Sequence, residues 1–376
     1  MKNRNINIIF SVILVLVVCA TATVMVMSHR NDEKDADPVF AEMTTEEPTT
    51  RADGFYNENN DWNCYENGML TQKDDFVFGT VNGEEAWWYV KDGKVDFSYN
   101  ALLKRGENKW WYVENGKASE ETEATAVLKV SEKFKDETES NVLSFHGNCQ
   151  LTENSKKLLN EAVKKFEEKD YKVGFFVFEL SSMQGFSYNA DELIYSASTV
   201  KGPYVTSLVS ADNSVLDREK SLINSTLKYS SNEDYVSLFL KHGNNSFVQW
   251  AEQSGCDFEI DISEIYHNIT PRQLAQLWLG SYFFFESGET GKKLGNMFEN
   301  PETSPIHSVL SEKYLTRSKA GWLSAGGIHV TNDAGIIYGG EKTYIISVMT
   351  TAPEDFSIVE NLVEAIDEVF IGNVIE

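Results

Sequence analysis

The stretch "VGFFVFELSSMQGFSYNADELIYSASTVKGPYV" (residues 173–205) decides the fold. It opens with two apolar, Phe-rich runs, "VGFFVFEL" and "GFSYN", which predict two strands separated by a short polar turn. A second polar turn leads to Ser198 and Lys201, spaced three residues apart just before an apolar run. Residues three apart share one face of a helix, so this spacing would bring a hydroxyl and an amine within reach of each other.

Ser198 and Lys201 are chemically workable as a nucleophile and its base. A lysine is normally protonated, but burial and a second nearby cation lower its pKa and free a lone pair. The spacing alone is weak evidence, because Ser225 and Lys228 repeat it. The start of an ordinary helix is the alternative interpretation.

The chain around this stretch combines helix and strand patterns. Apolar stripes predict amphipathic helices in "LTENSKKLLNEAVKKFEEKD" and "FSIVENLVEAIDEVF", and a further helix in "TPRQLAQLWLG". Later strands are predicted in "GGIHV", "AGIIYG" and "TYIISVMT". This order predicts an α+β domain over residues 143–376, with an antiparallel sheet, terminal helices packed on it and a helical insertion.

The opening stretch resembles the start of class A serine β-lactamases and related penicillin-recognising enzymes, in which a hairpin and a "YNAD"-like turn precede Ser-x-x-Lys. Two further family motifs have candidates in the right order. "YSSNEDYVSLFL" holds Ser230-Ser231-Asn232 in place of Ser-Asp-Asn, and "RSKAGWLSAGG" holds Lys319-Ala320-Gly321 in place of Lys-Thr-Gly. The resemblance covers residues 145–376. It implies a β-lactamase/transpeptidase-like sheet with terminal helices and a trimmed helical insertion.

The resemblance also implies roles for individual residues. Ser198 would attack an acyl carbon and become acylated, and Lys201 would take its proton. Lys319 would keep Lys201 neutral and attract the substrate carboxylate. Ser230 would relay a proton to the leaving nitrogen, and Asn232 would bind the substrate amide.

The strand carrying the third motif would line the substrate. The backbone N–H groups of Ser198 and Trp322 would form the oxyanion hole, beside Gly321. Ala320 departs from the family pattern, because it lacks the hydroxyl that helps to hold the substrate carboxylate.

The residue that would activate the deacylating water is the weakest part of the resemblance. "SEIYHN" offers Glu264 and Asn268 at the family's spacing, but the loop that follows is nearly absent. A surface carboxylate is the alternative interpretation of Glu264. Without a deacylating residue, an acyl-enzyme would form and persist.

The first 28 residues predict a membrane anchor. Lys2 and Arg4 precede an uncharged apolar run over 8–27, which is long enough to span a bilayer. A cleaved signal peptide is the alternative, and both interpretations export the rest of the chain. The expected location is therefore the extracytoplasmic face of a bacterial membrane, or secretion if the segment is cleaved. An acidic, disordered linker is predicted over 29–54.

Three related pieces follow over residues 55–118: "DWNCYENGML", "AWWYVKDGKVDF" and "KWWYVENGKA". Each is an aromatic strand followed by an Asn-Gly or Asp-Gly turn, which predicts a small all-β module of stacked hairpins. The pieces resemble the aromatic and glycine repeats of Gram-positive surface proteins. Binding of a cell-wall polymer and a purely structural stalk are both open interpretations. A polar linker is predicted over 119–142.

Composition excludes one class of partner. The formal net charge of −25 argues against nucleic acid, whose binders present clustered Lys and Arg. No Cys/His pattern indicates a metal site and no cofactor is expected. A disulfide between Cys149 and Cys256 stays open.

Two functional hypotheses follow. The first is an exported serine acyl hydrolase that forms an acyl-enzyme at Ser198 with β-lactams or with D-Ala-D-Ala peptides of the peptidoglycan stem. β-Lactamase and D,D-peptidase activity are not separated by the sequence. The second is a non-catalytic, wall-associated protein in which the hydrolase fold is a relic.

Overall fold

The computed structural model describes residues 51–106, 109–257 and 263–371. The predicted anchor and nearly all of the acidic linker lie outside these residues. In the described part of the chain, no helix is both long and apolar enough to cross a membrane.

The N-terminal module is built from short antiparallel strands. They are β1 (Gly54–Glu58), β2 (Asp61–Glu66), β3 (Met69–Leu70), β4 (Asp75–Val81), β5 (Glu84–Lys91), β6 (Lys94–Val95), β7 (Ala101–Lys104), β8 (Lys109–Glu114) and β9 (Lys117–Thr122). Their pairing order is β1-β2-β6-β5-β9-β8-β7, with β3 on β2 and β4 on β5. The predicted turns are present, since both residues of Asn82-Gly83 and of Asn115-Gly116 have positive φ, as tight hairpins require.

The module packs directly on the C-terminal domain. Trp110 of β8 is 2% exposed, and its ring lies 4.6 Å from that of Phe283. Lys104 forms an ion pair with Glu286 at 3.2 Å. The two parts therefore share one apolar core, and the chain from Thr50 onward forms one unit.

The prediction of a linker over 119–142 is wrong for the first half of that segment. These residues complete β9 and form helix α1 (Glu123–Lys133). Thr122 caps this helix by accepting a hydrogen bond from the Thr125 backbone N–H. Val127 and Val130 are buried with Phe134 in the shared core. The acidic composition of the segment concealed this narrow apolar stripe, which is sufficient to hold one face of a helix.

The C-terminal domain alternates strands with helices. Its first elements are β10 (Leu143–His146), α2 (Glu153–Glu167), β11 (Val173–Glu179), β12 (Gln184–Tyr188), β13 (Ile194–Tyr195), a 3₁₀ turn (Ala197–Val200), α3 (Lys201–Ala211), α4 (Ser214–Arg218), α5 (Lys220–Lys228), α6 (Asn232–His242) and α7 (Asn245–Gln253). The remainder are β14 (Asn268–Ile269), α8 (Pro271–Glu286), α9 (Glu289–Asn296), α10 (Pro305–Leu310), β15 (Leu315–Ala325), β16 (Ile328–Gly339), β17 (Lys342–Thr350), α11 (Phe356–Ile366) and a π turn (Asp367–Ile371).

The main sheet of this domain is antiparallel, in the order β10-β12-β11-β17-β16-β15. Successive side chains of a strand point to opposite faces, and β11 buries both sets. Phe175 and Val177 pack with the terminal helices α2 and α11, whereas Phe176 and Phe178 pack with the inserted helices. Burial on both faces explains why "GFFVF" is a continuous apolar run rather than an alternating one.

The predicted fold class is confirmed: an α+β domain with an antiparallel sheet and terminal helices, preceded by an all-β module. The two strands predicted in "GGIHV" and "AGIIYG" are one long strand, β16. The disulfide considered between Cys149 and Cys256 is not formed, because the two residues lie in separate cores on opposite faces of the sheet.

Candidate active site

The segment before Ser198 is fixed to the sheet by Asn332. Its buried side-chain amide donates to the carbonyls of Tyr195 at 2.8 Å and Ser196 at 3.2 Å. The next residue, Ala197, has a φ of 45°, in the left-handed region that is uncommon for alanine. Such strained residues persist where surrounding contacts enforce them, and they are concentrated at functional sites.

Ser198 lies against strand β15, which is the edge of the main sheet. A Cβ added to Gly321 would come within 2.4 Å of the backbone nitrogens of both Ser198 and Thr199. Only glycine permits this approach of the strand to the 3₁₀ turn. Ser198 is half-buried at the junction.

Lys201 begins helix α3, and its side chain is fully buried. Its Nζ donates to the Asn232 Oδ1 and to the Ser230 carbonyl, both at 2.7 Å. Burial, together with the positive charge of Lys319, lowers the pKa of Lys201 to about 7. A substantial fraction of Lys201 is therefore a neutral amine at neutral pH.

Ser230 connects the two buried lysines. It has a φ of 58°, and this turn directs its carbonyl to Lys201 while its hydroxyl accepts from the Lys319 Nζ at 2.9 Å. Ser231 then caps α6 by accepting from the Asp234 N–H, which places Asn232 at the first helical position.

Lys319 projects from β15 into the same site. Burial lowers its pKa to about 7, and the nearby Asp333 carboxylate opposes that shift. Asp333 is also buried, and desolvation raises its pKa to about 7.

The two other motif-strand residues differ in burial. Ala320 is fully buried, whereas Trp322 is half-buried with its ring 5.3 Å from that of Phe356.

The C-terminal domain has matches among known proteins. Residues 220–370 match the family model described as the β-lactamase enzyme family. Over these residues the domain is similar to that family. The β-lactamase of Sphaerobacter thermophilus DSM 20745 is a similar solved structure (17% identity, 56% of this chain and 96% of that chain, TM-score 0.47). The class A β-lactamase of Clostridium kluyveri DSM 555 is another (18% identity, 56% and 97%, TM-score 0.47).

The N-terminal module has its own match, to choline-binding repeats over residues 79–96 and 99–118. The resemblance to surface-protein repeats is thereby confirmed. No curated protein matches the sequence.

The β-lactamase-like domain does not bring Glu264 and Asn268 to the lysines. Both residues are exposed and line a cavity of about 950 Å³ beside the site. The Glu264 carbonyl accepts from the Asn244 side chain, and Asn268 pairs with Tyr195 in the short ladder of β13 and β14. The structure gives neither side chain a contact with Lys201, whose side-chain partners come from the residues around Ser230.

Two tyrosines of the β-lactamase-like domain were missed by the sequence analysis. The Tyr266 hydroxyl donates to Asn232 Oδ1 at 3.0 Å. The rings of Tyr235 and Tyr266 lie 5.4 and 5.9 Å from the Lys201 Nζ. Tyr266 lies between Glu264 and Asn268 in "SEIYHN", and its side chain reaches the site although it is not part of the family motif.

The described residues of the β-lactamase-like domain thus join two buried amines of lowered pKa through Ser230, and the half-buried Ser198 lies one helical turn before Lys201. No cluster of three His, Cys, Asp or Glu side chains among them could hold a metal ion. The arrangement suits acyl transfer, because it provides a nucleophile, a proton acceptor and a cation for a substrate carboxylate.

Proposed function

We propose that this chain is a serine acyl hydrolase that forms an acyl-enzyme at Ser198 with β-lactams or D-Ala-D-Ala peptides. The observation that carries the proposal is the bridge through Ser230, whose carbonyl and hydroxyl bind the amines of Lys201 and Lys319. Two buried amines in one site weaken each other's protonation, which leaves one of them able to accept a proton.

The reaction divides into attack and collapse. The Ser198 oxygen attacks the acyl carbon while its proton passes to the neutral Lys201 amine. The carbon–nitrogen bond then breaks, and the leaving nitrogen receives that proton through the Ser230 hydroxyl. The products are an ester on Ser198 and a free amine, so the proton lost by the serine is the one gained by the nitrogen.

The substrate would lie along β15. The N–H groups of Ser198 and Trp322 would stabilise the oxyanion, which is worth about 3 kcal/mol per donor. Lys319 would attract the substrate carboxylate, and the Asn232 amide would donate to the substrate side chain. Ala320 adds no hydroxyl to this set.

A long-lived acyl-enzyme is the expected outcome of the reaction. Glu264 is exposed and lines the neighbouring cavity rather than contacting Lys201. An ester on Ser198 would then lack Glu264 as the carboxylate that activates water. We therefore favour penicillin binding with slow release over efficient β-lactam hydrolysis.

The test is a time course of intact mass after addition of benzylpenicillin. We expect the wild-type protein to gain one penicillin mass and to retain it over many minutes, while Ser198→Ala gains nothing. Ser225→Ala is the matched control, because Ser225 and Lys228 repeat the spacing outside the site. An adduct that survives in Ser198→Ala, or no adduct in the wild type, would overturn the proposal.

The N-terminal module is proposed to hold the protein at the cell surface by binding a wall polymer. Its match is to choline-binding repeats, and two of its aromatic side chains are largely exposed, Phe78 at 53% and Trp87 at 43%. Their rings lie 5.5 Å apart, and Trp87 lies 5.6 Å from Trp111. Aromatic faces of this kind bind quaternary ammonium groups and sugars.

Retention on purified cell wall tests this second proposal. The experiment should use the module together with the C-terminal domain, because the two share one apolar core. We expect retention that Trp87→Ala weakens and that the exposed control Lys91→Ala does not. Equal retention of Trp87→Ala and wild type would contradict binding through this aromatic surface.

A further inference from the structure

Tyr266 occupies a position that the surrounding helices hold in place. The carbonyl of Glu264 accepts from the Asn244 side chain at 2.9 Å, and the carbonyl of Ile265 accepts from the Tyr235 hydroxyl at 2.9 Å. The two residues before Tyr266 are thus bound to helix α6 and to Asn244, the N-cap residue of helix α7. The half-buried phenol is presented to the site on a fixed backbone.

The hydrogen bond that Tyr266 donates to Asn232 fixes the orientation of the Asn232 side-chain amide. A carboxamide oxygen has two lone pairs, and both are used at Asn232. Its Oδ1 accepts from the Lys201 Nζ at 2.7 Å and from the Tyr266 hydroxyl at 3.0 Å. The NH₂ group of Asn232 must then point elsewhere, and this residue is exposed to the cleft.

The hydrogen bond from Tyr266 to Asn232 matters most when Lys201 is neutral. An ammonium only donates, so it holds the Asn232 oxygen by itself, whereas a neutral amine has a lone pair that could accept from a flipped amide. The Tyr266 phenol donates to the oxygen in the observed orientation, and a flip of the amide would require the phenol to turn its proton away from Asn232. Burial raises the pKa of Tyr266 to about 12, so it remains a hydrogen-bond donor throughout the neutral range.

We propose that Tyr266 is a positioning residue, which keeps the Asn232 oxygen towards Lys201 and its NH₂ group towards the substrate. This inference rests on the proposed acyl transfer and adds to it a preference among substrates. An oriented NH₂ group can donate only to a substrate that offers an acceptor, such as the carbonyl of a side-chain amide. Tyr266 therefore favours acyl donors with that amide over donors without it.

Two substrates that share one reactive ring test the inference. Benzylpenicillin has a side-chain amide, and 6-aminopenicillanic acid has an amine in its place. We expect Tyr266→Phe to slow acylation by benzylpenicillin about fivefold to tenfold, which corresponds to one lost hydrogen bond, and to leave acylation by 6-aminopenicillanic acid nearly unchanged. Tyr195→Phe is the control, since its ring lies 6.1 Å from that of Tyr266 on the same side of the site.

A double-mutant cycle shows whether Tyr266 acts through Asn232. In an Asn232→Ala background, Tyr266→Phe should have no further effect on the ratio of the two acylation rates. An unchanged ratio in the single Tyr266→Phe variant, or a full effect without Asn232, would overturn this inference while leaving acyl transfer intact. Absence of any Ser198 adduct in the wild-type protein would overturn both.

Discussion

Gly321 lies against Ser198 so closely that a Cβ at position 321 would come within 2.4 Å of the Ser198 backbone nitrogen. The approach sets the spacing between the 3₁₀ turn and the edge strand β15. The proposed oxyanion hole depends on that spacing, because one donor comes from each element.

We expect Gly321→Ala to slow acylation by penicillin at least about 100-fold, since a displacement of one ångström at a reacting centre has an effect of this size. Gly339→Ala is the matched control in the next strand, where an added Cβ would make an ordinary contact with Tyr344 at 3.4 Å. Acylation rates from intact mass compare the two variants. Equal rates would show that the close approach is not required.

A second prediction concerns pH. Lys201 accepts a proton only when neutral, and its pKa is lowered to about 7. The neutral fraction increases as the pH rises through this value, so the acylation rate at saturating penicillin should rise between about pH 6 and 8 and then level off. A rate that keeps increasing beyond about pH 9 would indicate a lysine of ordinary pKa.

The dependence of the acylation rate on pH also tests whether Lys319 lowers the pKa of Lys201. Lys319→Met removes the positive charge that helps to lower the pKa of Lys201, so the midpoint of the profile should move to higher pH. Lys228→Met removes an exposed charge and should leave the midpoint in place. An unmoved midpoint in Lys319→Met would assign the lowered pKa to burial alone.

The fourth prediction concerns Asn332, which binds the carbonyls of Tyr195 and Ser196 just before Ser198. Asn332→Ala should slow acylation about 100-fold by releasing this segment. The buried Thr350 N–H, which donates to the Asn332 Oδ1 at 2.9 Å, would also lose its acceptor, and this should lower the free energy of unfolding by about 1–3 kcal/mol. The exposed Asn361→Ala is the control, and a folded Asn332→Ala protein with full activity would contradict the positioning role.

A fifth prediction follows from the shared core. Trp110 is 2% exposed against helix α8, so Trp110→Ala should lower the free energy of unfolding by about 3–5 kcal/mol. Trp87→Ala, at a 43% exposed position, should change it by about 1 kcal/mol or less. Chemical denaturation measures both, and a Trp110→Ala protein as stable as Trp87→Ala would show that the module does not stabilise the β-lactamase-like domain.

The sequence was sufficient for the features that depend on residue type and order. The resemblance to class A β-lactamases predicts Lys201, Ser230, Asn232 and Lys319 as site residues, and the structure brings them together. The terminal helices and the central strands were predicted because their apolar periodicity is strong. The "KAG" strand was also predicted, and it forms part of β15.

The features that the sequence did not predict depend on tertiary contacts. Helix α1 lies in a segment whose polar and acidic composition predicts a linker, because its buried stripe is only Ala126, Val127, Val130 and Ser131. That stripe is stabilised by packing in the core shared with α8. Tyr266 was missed because Glu264, two residues earlier, fitted a motif. Which of two neighbouring side chains enters a site is decided by the backbone of the loop, and that backbone is held by helices distant in sequence.

The most direct test of the central claim locates the penicillin on the chain. After brief exposure to benzylpenicillin, the protein is digested and its peptides are sequenced by tandem mass spectrometry. The account predicts that the penicillin mass lies on Ser198, in the peptide that contains "SASTVK". An adduct on any other residue, or none on this peptide, would contradict the assignment of Ser198 as the nucleophile.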